Sequence, residues 1–339
     1  GSTDLPEGLV PTTPEPPDPL PAVLARYLMQ VAGEVSHRRG LLADIATDKQ
    51  PAATRRPTVQ MVFCIDVRSE VLRRHLEAQS KLVETCGFAG FFGMPLEFIR
   101  LGTAFGAAHC PVLLQPTFPV FERLLGASGE RIAAAIDHRK LVRKGRKLWK
   151  GFQSSAISCY SFVESLGLAY LPKLFTDSIG VTRPVADPRN DGLSRDEQRR
   201  LGPDLDGSDD PLPLDQRIGL AEGMLRNLGL TDRFARIVAI CGHAASMVNN
   251  PYRAGYDCGA CGGHSGEPNA RVAAAILNDL QVRAALAERG ILIPADTWFV
   301  AAVHRTTTDE IEFFGPTGCP ATHRDEFRDV LAWTAAAGK

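Results

Sequence analysis

Four short apolar runs along the chain predict strands. Residues 58–66 and 236–243 are apolar over most of their length, which is typical of buried strands in a parallel sheet. Residues 298–303 and 311–314 are also rich in β-formers and predict a hairpin. These runs would supply the central part of a sheet.

Longer segments between the strands carry apolar residues three and four positions apart, which predicts helices. Ser69 and Asn269 are the expected N-caps of two helices, since their side-chain oxygens can accept from free N–H groups. Alternating strands and helices predict an α/β fold with a mainly parallel sheet flanked by helices. The predicted helices cover 22–45, 69–79, 214–228 and 269–280.

The chain divides into four predicted parts. Residues 1–22 hold seven prolines and favour an extended arm or linker. Residues 23–117 and 233–339 carry the strand–helix units and are expected to form one α/β core in two pieces. Residues 118–232 are predicted to be a largely helical insertion that includes a polar loop at 182–213.

Composition excludes several classes of protein. Of the 339 residues, 44% are hydrophobic and 23% are charged, so the chain as a whole is not disordered. The net charge of −1 gives no overall attraction to nucleic acid, and no such partner is expected. No apolar run approaches the ~18–20 residues that cross a bilayer. A basic run at 139–150 is open to three interpretations: a solvated helix face, a site for an acidic partner, or a membrane-binding surface.

The cysteines point to metal chemistry rather than to disulfides. Eight cysteines in 339 residues are too few for a disulfide-stapled fold, and no secretory segment opens the chain. We therefore expect a reducing compartment and free thiols. The chain begins Gly1-Ser2 rather than with Met, which favours a piece excised from a longer protein.

Cys64, Asp66 and Arg68 alternate where the first predicted strand ends. Open α/β sheets bind ligands beyond the carboxyl ends of their strands. Side chains two apart on an extended path point the same way, so these three groups would converge. A thiolate and a carboxylate can bind zinc, and an arginine can hold a carboxylate in a bidentate pair. A buried structural cysteine followed by a surface ion pair is the alternative.

His243 ends the second predicted strand, and Cys258 follows fifteen residues later in a glycine-rich loop. With Cys64 and Asp66 they would make a site of two thiolates, an imidazole and a carboxylate, which suits Zn²⁺ better than Mg²⁺ or Ca²⁺. With Asp66 bound, that site is closed. Catalysis would require Asp66 to leave the metal, for example to pair with Arg68.

Two other interpretations of these residues stay open. The same four ligands would also serve a structural zinc site in a protein-interaction module. Cys258 and Cys261 have CxxC spacing, so they form a candidate thiol redox pair, and Cys261 is a substitute fourth ligand.

Several stretches resemble the DabA family, the zinc-binding subunits of a bacterial inorganic-carbon uptake system. They read Val-Phe-Cys-Ile-Asp-Val-Arg-Ser-Glu at 62–70, Glu-Thr-Cys-Gly-Phe-Ala-Gly-Phe-Phe-Gly at 84–93, and Asp-Cys-Gly-Ala-Cys-Gly-Gly at 257–263, continuing into Pro-Asn-Ala-Arg at 268–271. The likeness covers most of 55–315. Family members are considerably longer, so the chain is expected to be a core without its flanks.

The DabA family in turn resembles β-carbonic anhydrases. Those enzymes carry Cys-x-Asp-x-Arg at one strand end, which 64–68 matches. At another strand end they carry Gly-His-x-x-Cys; 242–243 matches the Gly-His, but Ser246 stands where the cysteine should be. In the DabA pattern Cys258 supplies that thiolate. The resemblance implies a β-carbonic anhydrase-like fold and one Zn²⁺ per chain, with the ligands Cys64, Asp66, His243 and Cys258.

The activity implied by the resemblance is zinc-dependent hydration of CO2 to bicarbonate within a membrane complex. Asp66 and Arg68 would be the catalytic residues. In the open state Arg68 would hold Asp66 away from the metal, and Asp66 would accept a hydrogen bond from the activated water. The proton-shuttle candidates, by residue type only, are His75, His264 and His304.

The resemblance also implies a partner and a location. The partner is DabB, a proton-conducting membrane subunit, and the location is peripheral, on the cytoplasmic side of the inner membrane. Coupling to the ion gradient would make hydration effectively one-way. The isolated chain is therefore expected to hydrate little or no CO2. Homo-oligomerisation is left open.

Overall fold

The computed structural model describes residues 21–47, 55–182, 187–206, 211–247, 250–315 and 318–339. The chain forms two units. The first reaches to Arg55, and its described secondary structure is helix α1 (Pro21–Thr47). The second unit, Arg56–Lys339, holds the other elements. The predicted Pro-rich arm at 1–22 lies outside the described residues apart from its last two.

The second unit alternates strands and helices along the chain. The strands are β1 (Val59–Cys64), β2 (Val83–Phe88), β3 (Leu96–Ile99), β4 (Ala107–His109), β5 (Phe118–Leu124), β6 (Leu201–Asp204), β7 (Ile237–Ala244), β8 (Trp298–Arg305) and β9 (Glu310–Phe314). The helices are α2 (Val67–Gln79), α3 (Gly129–Ser154), α4 (Cys159–Leu166), α5 (Leu171–Ser178), α6 (Arg195–Arg200), α7 (Leu214–Leu228), α8 (Arg253–Tyr256), α9 (Glu267–Asn278), α10 (Leu280–Glu288) and α11 (Arg324–Ala337).

The main sheet has the strand order β2-β1-β7-β8-β9. Its first four strands are parallel, and β9 returns antiparallel to β8. The predicted α/β fold with a mainly parallel sheet and a terminal hairpin is therefore confirmed. A second, mixed sheet has the order β4-β3-β5-β6, in which only the β3–β5 pair is parallel.

Helices cover both faces of the main sheet, and this explains its apolar strands. Every residue of β1 and β7 is buried. Alternate residues along each strand face opposite sides. Met61 and Phe63 pack with α2 and α11, whereas Val62 and Ile240 pack with α7 and α9. The two layers hold the carboxyl ends of β1 and β7 side by side.

Two predicted helix starts are wrong. Helix α2 begins at Val67, because the Asp66 carboxylate caps it by accepting from the Arg68 N–H at 2.9 Å. Ser69 lies inside the first turn and is fully buried. Helix α9 begins at Glu267, so Asn269 also lies within its helix rather than at the cap. Both polar residues make tertiary contacts instead.

The region predicted as an insertion, 118–232, contains sheet strands as well as helices. β5 and β6 belong to the second sheet, and α7 packs in the main core. Helices α3, α4 and α5 make up most of its first half. The division into an interrupted core and an insertion remains a prediction. Over the described ranges, no helix combines the length and apolar character needed to cross a bilayer.

Replacing Gly242 by alanine should destabilise the fold. A Cβ at this position of β7 would lie 2.6 Å from the carbonyl oxygen of Gly266, which is backbone and cannot swing aside. We expect a loss of roughly 1–3 kcal/mol in the free energy of unfolding, measured by urea denaturation. Gly219→Ala in α7 is the control, because a Cβ there meets nothing within 4 Å. It should stabilise by roughly 0.5–1 kcal/mol, and equal losses in both variants would contradict the interpretation.

Candidate metal centre

Cys64 is the last residue of β1, and its side chain is only 4% exposed. The Ile65 N–H still donates to the Phe88 carbonyl of β2 at 3.0 Å, which holds the end of β1 beside β2. The thiol therefore lies at the carboxyl edge of the sheet, at the junction between β1 and helix α2.

His243 lies in the neighbouring strand β7, one residue before its end, and is 1% exposed. Its backbone carbonyl accepts from the Gly266 N–H at 3.0 Å. Neither ring nitrogen of His243 has a hydrogen-bond partner among the described residues. A buried imidazole without a partner is unfavourable unless something absent from the protein chain binds it.

Cys258 is placed by a short, tightly bonded loop. The preceding residue, Asp257, is buried and accepts from the Ala245 N–H at 2.9 Å and from Arg253 Nε at 3.1 Å. The Cys258 N–H donates to the His264 carbonyl at 2.9 Å, which closes the loop on itself. The end of β7 and the cysteine loop are thus fixed to each other.

The ligand atoms of Cys64, His243 and Cys258 all lie within 4.8 Å of one another. The two sulfurs are 3.9 Å apart. Sulfurs bound at ~2.3 Å to a tetrahedral zinc would be separated by roughly 3.8 Å. Gly90 forms part of the wall, and a Cβ there would come within 2.6 Å of the Cys258 sulfur and 2.7 Å of the Cys64 sulfur. These residues therefore fit a metal ion of the zinc class.

Without a metal, the two thiols stay protonated. The adjacent thiol of Cys258 and burial raise the pKa of Cys64, while the Cys261 thiol and burial raise the pKa of Cys258. A metal would have to displace both protons, so its binding should weaken as the pH falls.

Asp66 lies beside this three-residue cluster and is held by Arg68. The pair is bidentate, with Nε to Oδ1 and Nη2 to Oδ2 both at 2.8 Å. Arg68 lowers the pKa of Asp66 to about 2, so the carboxylate is anionic at neutral pH. Asp66 Oδ2 is 3.7 Å from His243 Nε2. Arg68 also donates to the Tyr256 carbonyl at 2.9 Å, which ties the pair to the cysteine loop.

Cys261 is buried behind the cluster. Its thiol donates to the Gly90 carbonyl at 3.2 Å, and its N–H donates to the Cys258 carbonyl at 3.0 Å. Cys261, the second cysteine of the CxxC motif, therefore fixes both Gly90 and the cysteine loop in position.

The three shuttle candidates have different environments. His304 is fully buried in β8, in register with His243, and bonds Ser69 and Asp309 at 3.0 Å each. His264 is half-buried in the cysteine loop, whereas His75 is exposed on α2. None of these contacts tests a proton-transfer role, which stays a prediction.

Sequence reasoning missed the support beneath the cysteine loop. His109, 1% exposed at the end of β4, stacks on His264 with ring centroids 4.9 Å apart. Asn269 is fully buried and donates to the carbonyls of Met94 at 2.7 Å and His109 at 2.8 Å. The glycines at 87, 90 and 93 could have pointed to Gly90 as part of the site. No local sequence pattern indicates that β4 packs against the cysteine loop.

The fold and the site define an α/β protein with a candidate Cys-His-Cys metal centre at the end of a mainly parallel sheet. The family model for DabA, the probable inorganic carbon transporter subunit, matches residues 18–339. The chain belongs to the DabA family. No solved structure matches it.

Relatives carrying that description are closely similar to the chain. One from Chloroflexus aurantiacus is 47% identical over 323 residues, and one from Roseiflexus castenholzii is 45% identical over 323 residues. A Bradyrhizobium sp. relative, DabA 2, is 48% identical over 327 residues. Each match covers 94% of this chain and 38% of the relative. The chain thus spans well under half the length of these relatives.

Gly90→Ala should abolish metal binding. The added methyl group would occupy the space in front of both sulfurs, so the zinc content should fall from about one per chain to near zero. Elemental analysis of the purified protein measures this. Gly259→Ala is the control. This glycine follows Cys258 in the cysteine loop, but its Cβ would meet nothing within 4 Å, so the variant should keep its zinc. Full zinc occupancy in the Gly90 variant would refute the site geometry.

His109 should make the fold acid-sensitive. Burial lowers its pKa to about 3, well below the value near 6.5 of an exposed histidine. Between those values the unfolded chain binds the extra proton, so stability falls as the pH falls through this window. We expect His109 to contribute up to about 1.4 kcal/mol per pH unit to the slope of the free energy of unfolding against pH. That slope should therefore be shallower in His109→Gln. Urea denaturation at several pH values measures this slope. The control is His75→Gln, at an exposed position on α2, which should leave the slope unchanged. An unaltered slope in His109→Gln would contradict the role of His109 in acid sensitivity.

Proposed function

We propose that this chain is the zinc-binding catalytic part of an inorganic-carbon uptake protein, and that its centre hydrates CO2 in the manner of β-carbonic anhydrases. One observation carries the proposal. Two buried thiols meet an imidazole that has no hydrogen-bond partner in the part of the chain that the structure describes, and the three lie beside an Asp–Arg pair. The inorganic-carbon transporter description of its DabA relatives supports the substrate class.

Cys64, His243 and Cys258 would hold the zinc, with Asp66 as fourth ligand in a closed state. The metal, when bound, supplies Lewis-acid activation of water near neutral pH. Arg68 keeps the Asp66 carboxylate charged and turned toward itself through two hydrogen bonds. In that position Asp66 can accept a hydrogen bond from water next to His243 and orient it.

Hydration of CO2 consumes one water molecule and yields bicarbonate and one proton, which must leave the site. His304 is the best placed of the shuttle candidates, because its hydrogen bonds join buried Ser69 to Asp309. The Asp309 side chain is 56% exposed, so this chain of groups ends at solvent.

The partner and the location are proposals as well. The relatives are named as subunits, which supports assembly with other chains. From the family resemblance we propose a DabB-like proton-conducting membrane subunit and a peripheral position on the cytoplasmic side of the inner membrane. The isolated chain, which corresponds to 38% of its relatives' length, should hydrate little or no CO2.

A structural zinc site is the second candidate, because the three ligands are almost completely buried. In that case the metal would fix the cysteine loop, and Arg68 would only cap and anchor it. The two functions differ in what they require of Arg68. A redox pair of Cys258 and Cys261 would instead require Cys261, so Cys261→Ser separates that alternative.

Removal of a ligand should remove the metal. We expect one zinc per purified chain, and near-complete loss in Cys64→Ala and His243→Ala. Each change leaves only two ligands of the three-residue cluster, and these bind zinc weakly even with Asp66 beside them. Elemental analysis with circular dichroism checks both metal and fold. Cys319→Ala is the matched control, since this cysteine lies apart from the cluster. A folded wild-type chain that binds no zinc would overturn the proposal.

Arg68→Ala should separate catalysis from structure. In the full-length transporter, assayed by inorganic-carbon uptake in cells that depend on it, we expect at least a roughly 100-fold loss while zinc is retained. Arg74→Ala on the exposed face of α2 is the control. Normal uptake by the Arg68 variant would favour the structural site.

A further inference from the structure

The helices α3 to α5 expose an unusual density of large apolar side chains. Thirteen such residues lie between 141 and 181, each at least 37% exposed. The most exposed include Ile157 at 91%, Leu168 at 80%, Val181 at 69%, Phe175 at 68%, Leu174 at 66% and Val163 at 64%. Large apolar side chains exposed at this density along the chain are typical of an interaction site.

These side chains project from an ordered element. The ring of Phe162 packs edge to face against those of Trp149, Phe152 and Tyr170, with centroids 5.5 to 5.7 Å apart. The rings of Trp149 and Phe152 are tilted to each other, with centroids 6.3 Å apart. Gln153 also donates to the Tyr170 hydroxyl at 2.7 Å. This aromatic cluster joins α3 to α4 and to the turn before α5. The apolar side chains on the outside of these helices therefore stay exposed although the helices are packed together.

The apolar part of this surface carries almost no charge. Between residues 156 and 182 the only charged side chains are Glu164, Lys173 and Asp177. Lys173 pairs with Asp177 at 2.8 Å, so a single net charge remains. A surface that faces only water is normally richer in charge.

The adjoining end of α3 is strongly basic. Arg139 is buried and donates to the Arg189 carbonyl, while Arg146 pairs with Asp191 at 2.7 Å. Among the residues that the structure describes, four cations of this run have no ion-pair partner: Arg143, Lys144, Lys147 and Lys150.

Cationic and apolar side chains share one face of α3. Leu141, Lys144 and Leu148 are spaced by three and then four residues, which places them on the same side of the helix, and all three are exposed. Trp149 and Tyr160, at 45% and 70% exposure, lie where the basic run meets the apolar helices. Aromatic residues with a polar end favour this boundary in membranes.

We propose that this α3–α5 surface, comprising the exposed apolar side chains of 141–181 and the unpaired cations at 143–150, binds a membrane surface that carries anionic headgroups. The apolar side chains would enter the headgroup–acyl boundary and the cations would meet lipid phosphates. Positive charge that has no ion-pair partner among the described residues, beside apolar helices with almost no charge, favours this occupant over a second copy of the chain. The proposal deepens the proposed function by naming the surface that brings the subunit to the membrane.

Vesicle flotation of the purified chain tests the proposal. We expect binding to vesicles of phosphatidylcholine with about one-third phosphatidylglycerol, and little binding to phosphatidylcholine alone. Leu174→Asp with Phe175→Asp should lower the affinity at least about tenfold, because two apolar side chains no longer enter the bilayer. The control, Leu113→Asp with Leu292→Asp, replaces two leucines elsewhere that are even more exposed, and it should bind as the wild type does.

A charge variant provides the second arm. Lys144→Glu, Lys147→Glu and Lys150→Glu together should weaken binding by about 100-fold or more, at roughly fivefold for the loss of each lysine. The matched control reverses Lys81, Arg199 and Arg324, which gives the same net charge at other exposed positions. Equal loss in both triple variants would reduce the effect to overall charge and overturn the proposal.

Absence of vesicle binding would also overturn it. Self-association of the wild-type chain that disappears in the Leu174/Phe175 variant, without any vesicle binding, would assign the surface to a protein contact instead. Zinc content is measured in the same samples. A failed membrane surface with zinc intact leaves the proposed catalysis standing, whereas loss of zinc with membrane binding intact removes only the catalytic proposal.

Discussion

The approach of Cys64, His243 and Cys258 to one point is the contact on which the rest of this structure depends. Burying two thiols and an imidazole with no partner for the ring nitrogens is unfavourable for a protein on its own. A metal ion would satisfy all three groups at once and link β1, β7 and the cysteine loop. The core around the site is thus built to hold an arrangement that the chain alone does not stabilise.

Close backbone packing makes this convergence geometrically feasible. Gly90 leaves the space in front of the two sulfurs free, and Gly242 lets β7 approach Gly266 at the start of α9. The buried amide of Asn269 then fastens the loop after Gly90 to the end of β4. The backbone at the end of β4 in the second sheet therefore contributes to the site without touching its ligands.

The Asp66–Arg68 pair gives the site a feature that a purely structural centre does not need. Its carboxylate has two strong partners on Arg68, yet one oxygen remains 3.7 Å from His243. Such a carboxylate can bind either of two partners, the guanidinium or a metal held by the neighbouring ligands.

The α3–α5 surface lies in another part of the chain. The proposed membrane attachment and the proposed metal chemistry can therefore be varied separately.

The amino-acid sequence by itself determined the strand–helix alternation and the metal-ligand candidates, because apolar runs and Cys-x-Asp-x-Arg spacing are local signals. It also located both halves of the site, since residues after parallel strands must meet at one sheet edge. It misassigned Ser69 and Asn269 as caps, because a polar residue near a helix start looks the same whether it caps or bonds a distant strand.

Only the tertiary structure decided that Asp66 caps α2 while bound to Arg68, that Gly90 lines the site, and that His109 supports the cysteine loop. It also decided which cations of the basic run are buried or paired and which have no ion-pair partner among the described residues. These facts depend on contacts between residues far apart in the chain. Packing and desolvation set such contacts, and no local pattern of residues encodes them.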